Sequence, residues 1–446
     1  MLFRSFGGGA ILVNAQTTDV KDTMTIDNSK FTGNTSGYYG GAIYNAGNLT
    51  ISNSEFDANS SRIGGAIINA KSYSILDITN STFKNNSAMY DGGAIYNSVG
   101  TTNITANNGG KVQFVNNSVA DNTSEAHGGA ISNTGGGTVN LKAETGSTFL
   151  FENNTVTSTK YHAGGAIANI SSGGSQMHIT GAKGSVYEFK NNSASYGGAI
   201  YNSSSMDVDV DTIIFSGNNA NGSSGGAIGI TTAETSTGTS IFTLRANNAK
   251  FLNNTATLRG GAIIISSSIA NLITNSGEIL FEGNTGNGGT ISEAVYLNSS
   301  ATADSVLNLN TGNFGRITFN DGINGSTGNN SKNIININNT GNVTINGTEE
   351  ALPTGGEIIF NATVQNATIN HYAGTLTIGT AGSFANDILN LYGGTLNLAN
   401  GSINSYTLDA FTSASGAKVN FDADLSTGAS DNITAAAASG ELAVNA

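Results

Sequence analysis

Cysteine and tryptophan are absent from this 446-residue chain, and proline occurs once. Without Cys there is no disulfide scaffold, no thiolate zinc site and no thiol nucleophile. A single Pro and no Gly-X-Y period exclude collagen. No stretch of ~18 consecutive apolar residues occurs, so a transmembrane helix is excluded. Charge is also scarce. Asp, Glu, Lys and Arg make up 11 % of the chain, where ~25 % is usual. The net charge of −13 comes with no basic cluster, and this argues against nucleic acid as a partner, because phosphate binding rests on Lys and Arg.

Small polar residues fill the space. The chain has 60 Gly and 62 Asn, together 122 of 446 positions. Disorder is the first reading of such a composition, but 38 % of residues are hydrophobic and regularly spaced. Segments such as Leu307 and Leu309, or Ile334, Ile335 and Ile337, alternate apolar with small polar residues at the period of a strand. Long helices are excluded because Asn, Gly, Ser and Thr are poor helix formers.

Two motifs repeat. The tetrapeptide GGAI begins at Gly8, Gly40, Gly64, Gly92, Gly128, Gly164, Gly197, Gly225 and Gly260, and a decayed copy reads Gly288-Gly289-Thr290-Ile291. The pattern FxxN opens at Phe31, Phe56, Phe83, Phe114, Phe151, Phe189, Phe215, Phe251 and Phe281, and the two motifs alternate strictly. Ser or Thr follows eight of the nine FxxN units, the exception being Asn219. Three units show the set: Gly40, Gly41, Ala42, Ile43 with Phe56 and Asn59; Gly64, Gly65, Ala66, Ile67 with Phe83 and Asn86; Gly92, Gly93, Ala94, Ile95 with Phe114 and Asn117.

The shortest unit, residues 40–63, reads as three short strands, AIYN, LTIS and EFDANS, separated by corners. Such a unit is one turn of a single-stranded parallel β-helix, and longer units carry loops on the same frame. The stretches 116–125 and 155–161 are read as such insertions. Gly supplies the corners because it has no Cβ and adopts positive φ freely. Ile and Phe are expected to stack inward from coil to coil, ~4.8 Å apart. Asn at corners tolerates the left-handed conformation, and stacked Asn side chains can bond one another as in cross-β ladders. Six GGAI units also place Asn two residues after Ile: Asn45, Asn69, Asn97, Asn133, Asn169 and Asn202. The chain divides into a motif-rich region, 1–291, and a motif-poor continuation, 292–446, in which the strand rhythm persists with different corners. The lone Pro353 lies in a segment, NGTEEALPTGG, expected to protrude. The whole is expected to form a rod on the order of 70–80 Å long.

Alternating GGA(I/L/V) and FxxN resembles the repeat of the polymorphic outer-membrane proteins, autotransporter adhesins, over about residues 8–291. The C-terminal part, with GGTLNL at 393–398, is similar in rhythm to autotransporter passengers generally. The resemblance implies a right-handed parallel β-helix on the surface or outer membrane of a Gram-negative bacterium, or released outside it. It also implies a C-terminal β-barrel translocator in the full-length protein, and a role in virulence through adhesion. The partners expected are a host-cell surface protein or glycan, or another copy of the chain. The start, MLFRSFGGGAI, has no apolar signal-peptide core, and no barrel follows residue 446. The chain is therefore expected to be a fragment or to carry a misplaced start. The resemblance would also lend the motifs themselves an adhesive role, whereas their period places Ile and Phe inside.

Parallel β-helices also carry polysaccharide lyases and hydrolases, so the site must be argued separately from the fold. The one carboxylate cluster suited to a cation is Asp207, Asp209 and Asp211, which share a strand face at i, i+2 and i+4. Its plainer reading is a solvated outer face beside inward Val208 and Val210, with Lys190 and Arg245 the nearest cations in sequence, on other coils. His127 and His162 precede successive GGAI units at offsets that differ by one residue, and His178 and His371 have no acidic company in sequence. The GxSxG elbow, HExxH pair and P-loop are missing, while a Ser-His-Asp arrangement stays open because its spacing is unconstrained. Asn-x-Ser/Thr triplets at Asn85, Asn116 and Asn153 belong to the repeated corner. Tyr44, Tyr96 and Tyr201 follow GGAI and point away from Ile, either as an exposed aromatic stripe or as outer-face packing. The expectation is therefore an adhesive rod without catalytic residues, cofactor or metal, and the alternative is a carbohydrate-active β-helix enzyme.

Overall fold

A computed structural model describes residues 7–14, 22–121, 125–158, 162–170, 174–232 and 239–445. The chain is a parallel β-helix. In the shortest unit four strands form one coil: Ile43–Asn45, Asn48–Ser52, Glu55–Asp57 and Ser60–Ile63. Each pairs in parallel with its equivalent one coil on, Ile43 with Ile67, Leu49 with Leu76, Phe56 with Phe83 and Ser60 with Ser87. The first and fourth strands build a 23-stranded sheet, and the second and third a 26-stranded sheet. The expected three strands per coil are thus corrected to four in this region. The fourth strand escaped the sequence reading because Ser60-Ser61-Arg62-Ile63 lacks the apolar alternation that marks the others.

Following the second strand from Ile26 through Ile51, Ile78 and onward to Ser413 and Gly440 counts fifteen coils. At ~4.8 Å per step the rod is about 65–70 Å long. The stretches read as insertions begin with fourth strands, Ser118–Asp121 and Thr155–Ser158; residues 122–124 and 159–161 lie outside the described residues.

The motif side chains are interior. Ile43, Ile67, Ile95, Phe56, Phe83 and Phe114 are fully buried. Burial of each contributes about 1.5–3 kcal/mol. Phe rings from Phe31 to Phe319 form one stack, with neighbouring centroids 4.5–5.0 Å apart and planes within 13°. The stack ends where Phe360 turns edge-on to Phe319 at 62°.

The two glycines of GGAI do different work. The first adopts positive φ, +53° at Gly40 and +62° at Gly92, a region that costs an L-residue. The second lies where backbones touch. A Cβ at Gly41 would stand 2.1 Å from the Gly65 carbonyl oxygen and 2.6 Å from the Ser60 nitrogen. Ser60 is the residue that follows FxxN in the same coil. The recurring contact joins Gly65 to Ser87, Gly93 to Ser118, Gly129 to Thr155 and Gly226 to Thr255. The coil is pinched here, so GGAI and FxxN-Ser/Thr are the two jaws of one contact. That is the physical reason they alternate.

Asn closes the other corner. The residue before each motif Asn has positive φ, +57° at Asn85, +55° at Asn116 and +55° at Asn153, so the Asn-x-Ser/Thr triplets are corner chemistry. The motif Asn then forms a buried ladder. Asn86 Nδ2 donates to Asn117 Oδ1 at 2.9 Å and to the Phe56 carbonyl at 3.0 Å, while its backbone N–H donates to Asn117 Oδ1 at 3.1 Å. This pattern runs from Asn59 to Asn284 and ends on Asp321, whose Oδ2 accepts the Asn284 backbone N–H at 2.8 Å and Asn284 Nδ2 at 2.9 Å. A second ladder links Asn45, Asn69, Asn97, Asn133, Asn169 and Asn202 at 2.8–3.0 Å.

The decayed copy at 288–291 is corrected by the register. Gly288 lies in a 3-10 turn, and Ile291 pairs antiparallel with Gly286. The residues stacked on Gly260–Ile263 are Ser292-Glu293-Ala294-Val295, with Val295 opposite Ile263. Among the described residues the fourth-strand column also ends at Thr285–Gly286. Both jaws of the pinch therefore disappear together. Farther on, coils shorten to three strands: Thr363–Gln365, Thr368–His371 and Thr375–Ile378 are followed twenty residues later by Ser383–Ala385, Ile388–Leu391 and Thr395–Asn397. Pro353 leads back into this region, its carbonyl accepting Asn310 Nδ2 at 3.0 Å.

One core position carries a titratable group. His371 stacks between Ile337 and Leu391 and is fully buried. Its Nε2 meets the Ala373 carbonyl at 2.9 Å, its Nδ1 has no partner, and burial pulls its pKa down to about 4. A folded pKa below the unfolded value means full stability above pH ~6.5 and a loss as pH falls toward 4, of about 3 kcal/mol. Urea titrations of wild type and His371→Leu are expected to differ in pH slope over this window only. Asp387, in the next coil, has the opposite sign: burial raises its pKa to about 7, so its contribution is lost as pH rises from ~4 to 7.

Candidate functional site

The three candidate carboxylates lie on the long strand Ser205–Ser216, with Val208 and Val210 buried beneath as expected. They do not converge. Asp209 is paired with Arg245 on the next coil, through Nε to Oδ1 at 2.8 Å and Nη2 to Oδ2 at 2.7 Å. Asp211 accepts the Gly184 N–H at 2.8 Å and Asn247 Nδ2 at 2.7 Å. Asp207 accepts the Asn346 N–H at 3.1 Å and faces His178 at 3.5 Å. Among the described residues no group of three or more His, Asp or Glu is placed to hold a metal ion.

The partners of Asp207 and Arg245 correct two expectations. The segment containing Pro353 does not project away. Asn342–Ile345 and Thr348–Ala351 form an antiparallel hairpin that lies back along the rod. It leaves the eleventh coil, after Ile337, and its tip reaches His178 in the sixth: Asn346 Oδ1 is 3.1 Å from His178 Nδ1. Glu350 receives Arg245 Nη1 at 2.5 Å. The outer face around Asp207 is therefore covered, and Asp207 is only 7 % exposed. His178 does have acidic company, since the Asp207 carboxylate raises its pKa. Neither contact was legible in sequence, because residues 207 and 346 are 139 positions apart.

Arg245 is the rivet of this clasp. Without it, Asp209 and Glu350 would face each other unneutralised. Arg245→Ala is expected to free residues 342–351 for proteolysis and fast amide exchange. The global unfolding free energy should change by no more than ~1 kcal/mol, the scale of partly exposed pairs. Unchanged exchange in the hairpin would remove the role.

The tyrosines form no exposed stripe. Tyr44 and Tyr96 are half-buried and Tyr201 is buried. Ser132 and Ala168 separate Tyr96 from Tyr201 in the column. Tyr201 packs edge-on against Tyr196 at 5.9 Å, and its ring lies 6.2 Å from that of His127. Desolvation pushes the Tyr96 hydroxyl up to about 12. This is outer-face packing. His127 pairs with Ala163, and His162 with Ala126, so the two histidines are out of register by one residue, as their offsets predict. His127 Nδ1 lies 3.2 Å from Asp91 Oδ1.

The sequence reading missed a groove at the corner between the second and third strands of the tenth coil. It is lined by Asn248, Glu278, Asn313, Phe314, Arg316 and Glu357. Phe314 is 86 % exposed. The only signal in sequence is an aromatic one residue away from its expected inward register.

Three segments of the chain, residues 28–46, 80–98 and 187–203, match the model of the Chlamydia polymorphic membrane protein repeat. Each spans a corner of the kind described above. No curated protein and no solved structure matches the chain. At these three places the chain is similar to the repeat of the Chlamydia polymorphic membrane proteins, a similarity that points to the outer membrane or cell surface.

Proposed function

We propose that the protein is the passenger of an autotransporter and acts, without catalysis, as an adhesive rod on the bacterial surface. Its partner is a host-cell protein or glycan, or a second copy of itself. A C-terminal barrel in the full-length protein would carry it across the outer membrane. The observation that supports this reading is the inward placement of the recurring residues. GGAI and FxxN are consumed in building the solid core of the first nine coils, about 40 Å of the rod, which leaves the outer columns and corner loops to make contacts. A stiff array of such faces favours many weak contacts that sum to avidity. The motifs themselves then act in adhesion only by shaping the rod.

Beads coated with the chain should bind cultured epithelial cells or aggregate with one another, and failure of both would sink the proposal. The enzyme alternative predicts cleavage of a polysaccharide that Asp209→Ala abolishes. Release of reducing ends by the wild type alone would put that reading in place of ours.

A further inference from the structure

We infer that the groove beside Phe314 binds a neutral glycan, with the Phe314 ring as the platform for a pyranose. The inference rests on the adhesive reading and locates one of its contacts. Phe314 is the most exposed aromatic side chain among the described residues, and no neighbouring ring covers it. The long strands of the ninth and tenth coils shift register between Thr274 and Ser276, and this places Ser276 opposite Phe314. On the tenth coil Leu307, Leu309, Ile317 and Phe319 all face the core, and Phe314 falls on the opposite, outward side.

The groove floor is recessed. Glycine occupies one register in five successive coils, Gly277, Gly315, Gly356, Gly374 and Gly394, because each immediately precedes one of the paired residues Glu278, Arg316, Glu357, Thr375 and Thr395. Added side chains are refused there: a Cβ at Gly356 would stand 2.2 Å from the Gly312 oxygen, and one at Gly374 would stand 2.4 Å from the Gly356 oxygen. Of these, Gly277, Gly315 and Gly356 line the groove, which reaches from Asn248 to Thr375. Farther along the same corner, Tyr372 and Tyr392 stack at 5.0 Å with Tyr392 52 % exposed. Exposed aromatic surface therefore recurs along this corner of the rod, outside the groove itself.

Polar groups line the groove beside the ring. Arg316 directs Nε to Glu278 Oε1 at 3.1 Å and is half exposed, with its terminal nitrogens left for a ligand. Glu357 accepts the Thr377 hydroxyl at 2.7 Å on one oxygen and keeps the other. An open apolar ring beside fixed donors and acceptors matches the two aspects of a sugar, its C–H face and its hydroxyl edge. An apolar peptide would find no apolar walls. An anionic glycan would meet two carboxylates against one guanidinium on a chain of net charge −13, so the ligand is neutral.

The test is binding of the full chain to a panel of neutral hexose and N-acetylhexosamine oligosaccharides, with sulfated and sialylated glycans alongside. The expected result is binding to neutral members that falls at least tenfold in Phe314→Ala and survives in Phe314→Trp. Because Phe314 is exposed, Phe314→Ala should fold as the wild type does, which its melting curve checks. Three results overturn the inference: no neutral glycan bound, binding unchanged in Phe314→Ala, or preference for the anionic glycans. Cell attachment by beads that carry Phe314→Ala separates the levels. If attachment persists while the glycan inference fails, the adhesive reading stands and this site does not.

Discussion

Gly93→Ala should break the solenoid at its fourth coil. The new Cβ would stand 2.0 Å from the Gly129 oxygen, 2.7 Å from the Ser118 oxygen and 2.8 Å from the Ser118 nitrogen. All three are backbone atoms, and none can rotate away. Relief requires the coils to separate, which costs the parallel hydrogen bonds on both sides. The expected loss is about 4 kcal/mol or more, the exceptional end of single substitutions. Because each coil contacts chiefly its neighbours, the coils on either side can stay folded. Urea titration followed by far-UV circular dichroism should then show an early transition absent from the wild type. Gly109→Ala is the control. Its φ is +67°, but nothing lies within 4 Å of the added carbon, so only the cost of the left-handed region remains, about 1–2 kcal/mol. Equal losses in the two variants would refute the pinch.

Asn117→Asp should be nearly as damaging, and in a pH-dependent way. Asn117 accepts from the Asn86 side chain and backbone, and donates to the Phe83 carbonyl at 3.0 Å and to Asn154 Oδ1 at 3.0 Å. Aspartate keeps the accepting side and loses the donating one. It would press a buried negative oxygen against two acceptors, at an expected cost of about 3–5 kcal/mol near neutral pH. Its pKa in the folded protein would be raised. The variant should therefore be least destabilised below the unfolded value of ~4 and lose stability as pH rises. Asp321 shows the same residue without penalty. There the neighbours are donors: the Gly283 and Asn284 N–H groups, the Asn284 amide and the Ser292 hydroxyl. Asp321→Asn should cost only about 1–2 kcal/mol, and a larger loss than Asn117→Asp would show that the ladder has no direction.

These two positions also mark how far the sequence could be read. The motif residues, the inward Ile and Phe and the Asn corners follow from spacing and residue chemistry, and the structure places them accordingly. Ser60–Ile63 was missed because a strand that packs backbone against backbone needs no apolar side chains to announce it. The GGTI at 288–291 misled because letters match where register does not, and Glu293 fills the place of the second glycine without resembling it. The candidate site was less legible than the fold. Asp207, Asp209 and Asp211 share a face, as periodicity requires, but their partners come from residues 178, 184, 245, 247 and 346. No local pattern reports a hairpin that folds back across five coils. Phe314 falls on the outward side of the alternation that buries Leu307, Leu309, Ile317 and Phe319, so only its aromatic character at an outward position marks it.

The clasp also sets how the rod would respond to tension. In an array of like coils, force applied at the two ends peels units off singly from whichever end is weaker. The hairpin ties the sixth, seventh and eighth coils to the eleventh, so the coils between cannot be shed in turn while Arg245 and His178 hold. A pull on the rod, as between a bacterium and the surface it grips, would be borne by that middle section as one unit. When the clasp gives, the 174 residues from His178 to Ala351 would be released together, about 600 Å of extended chain.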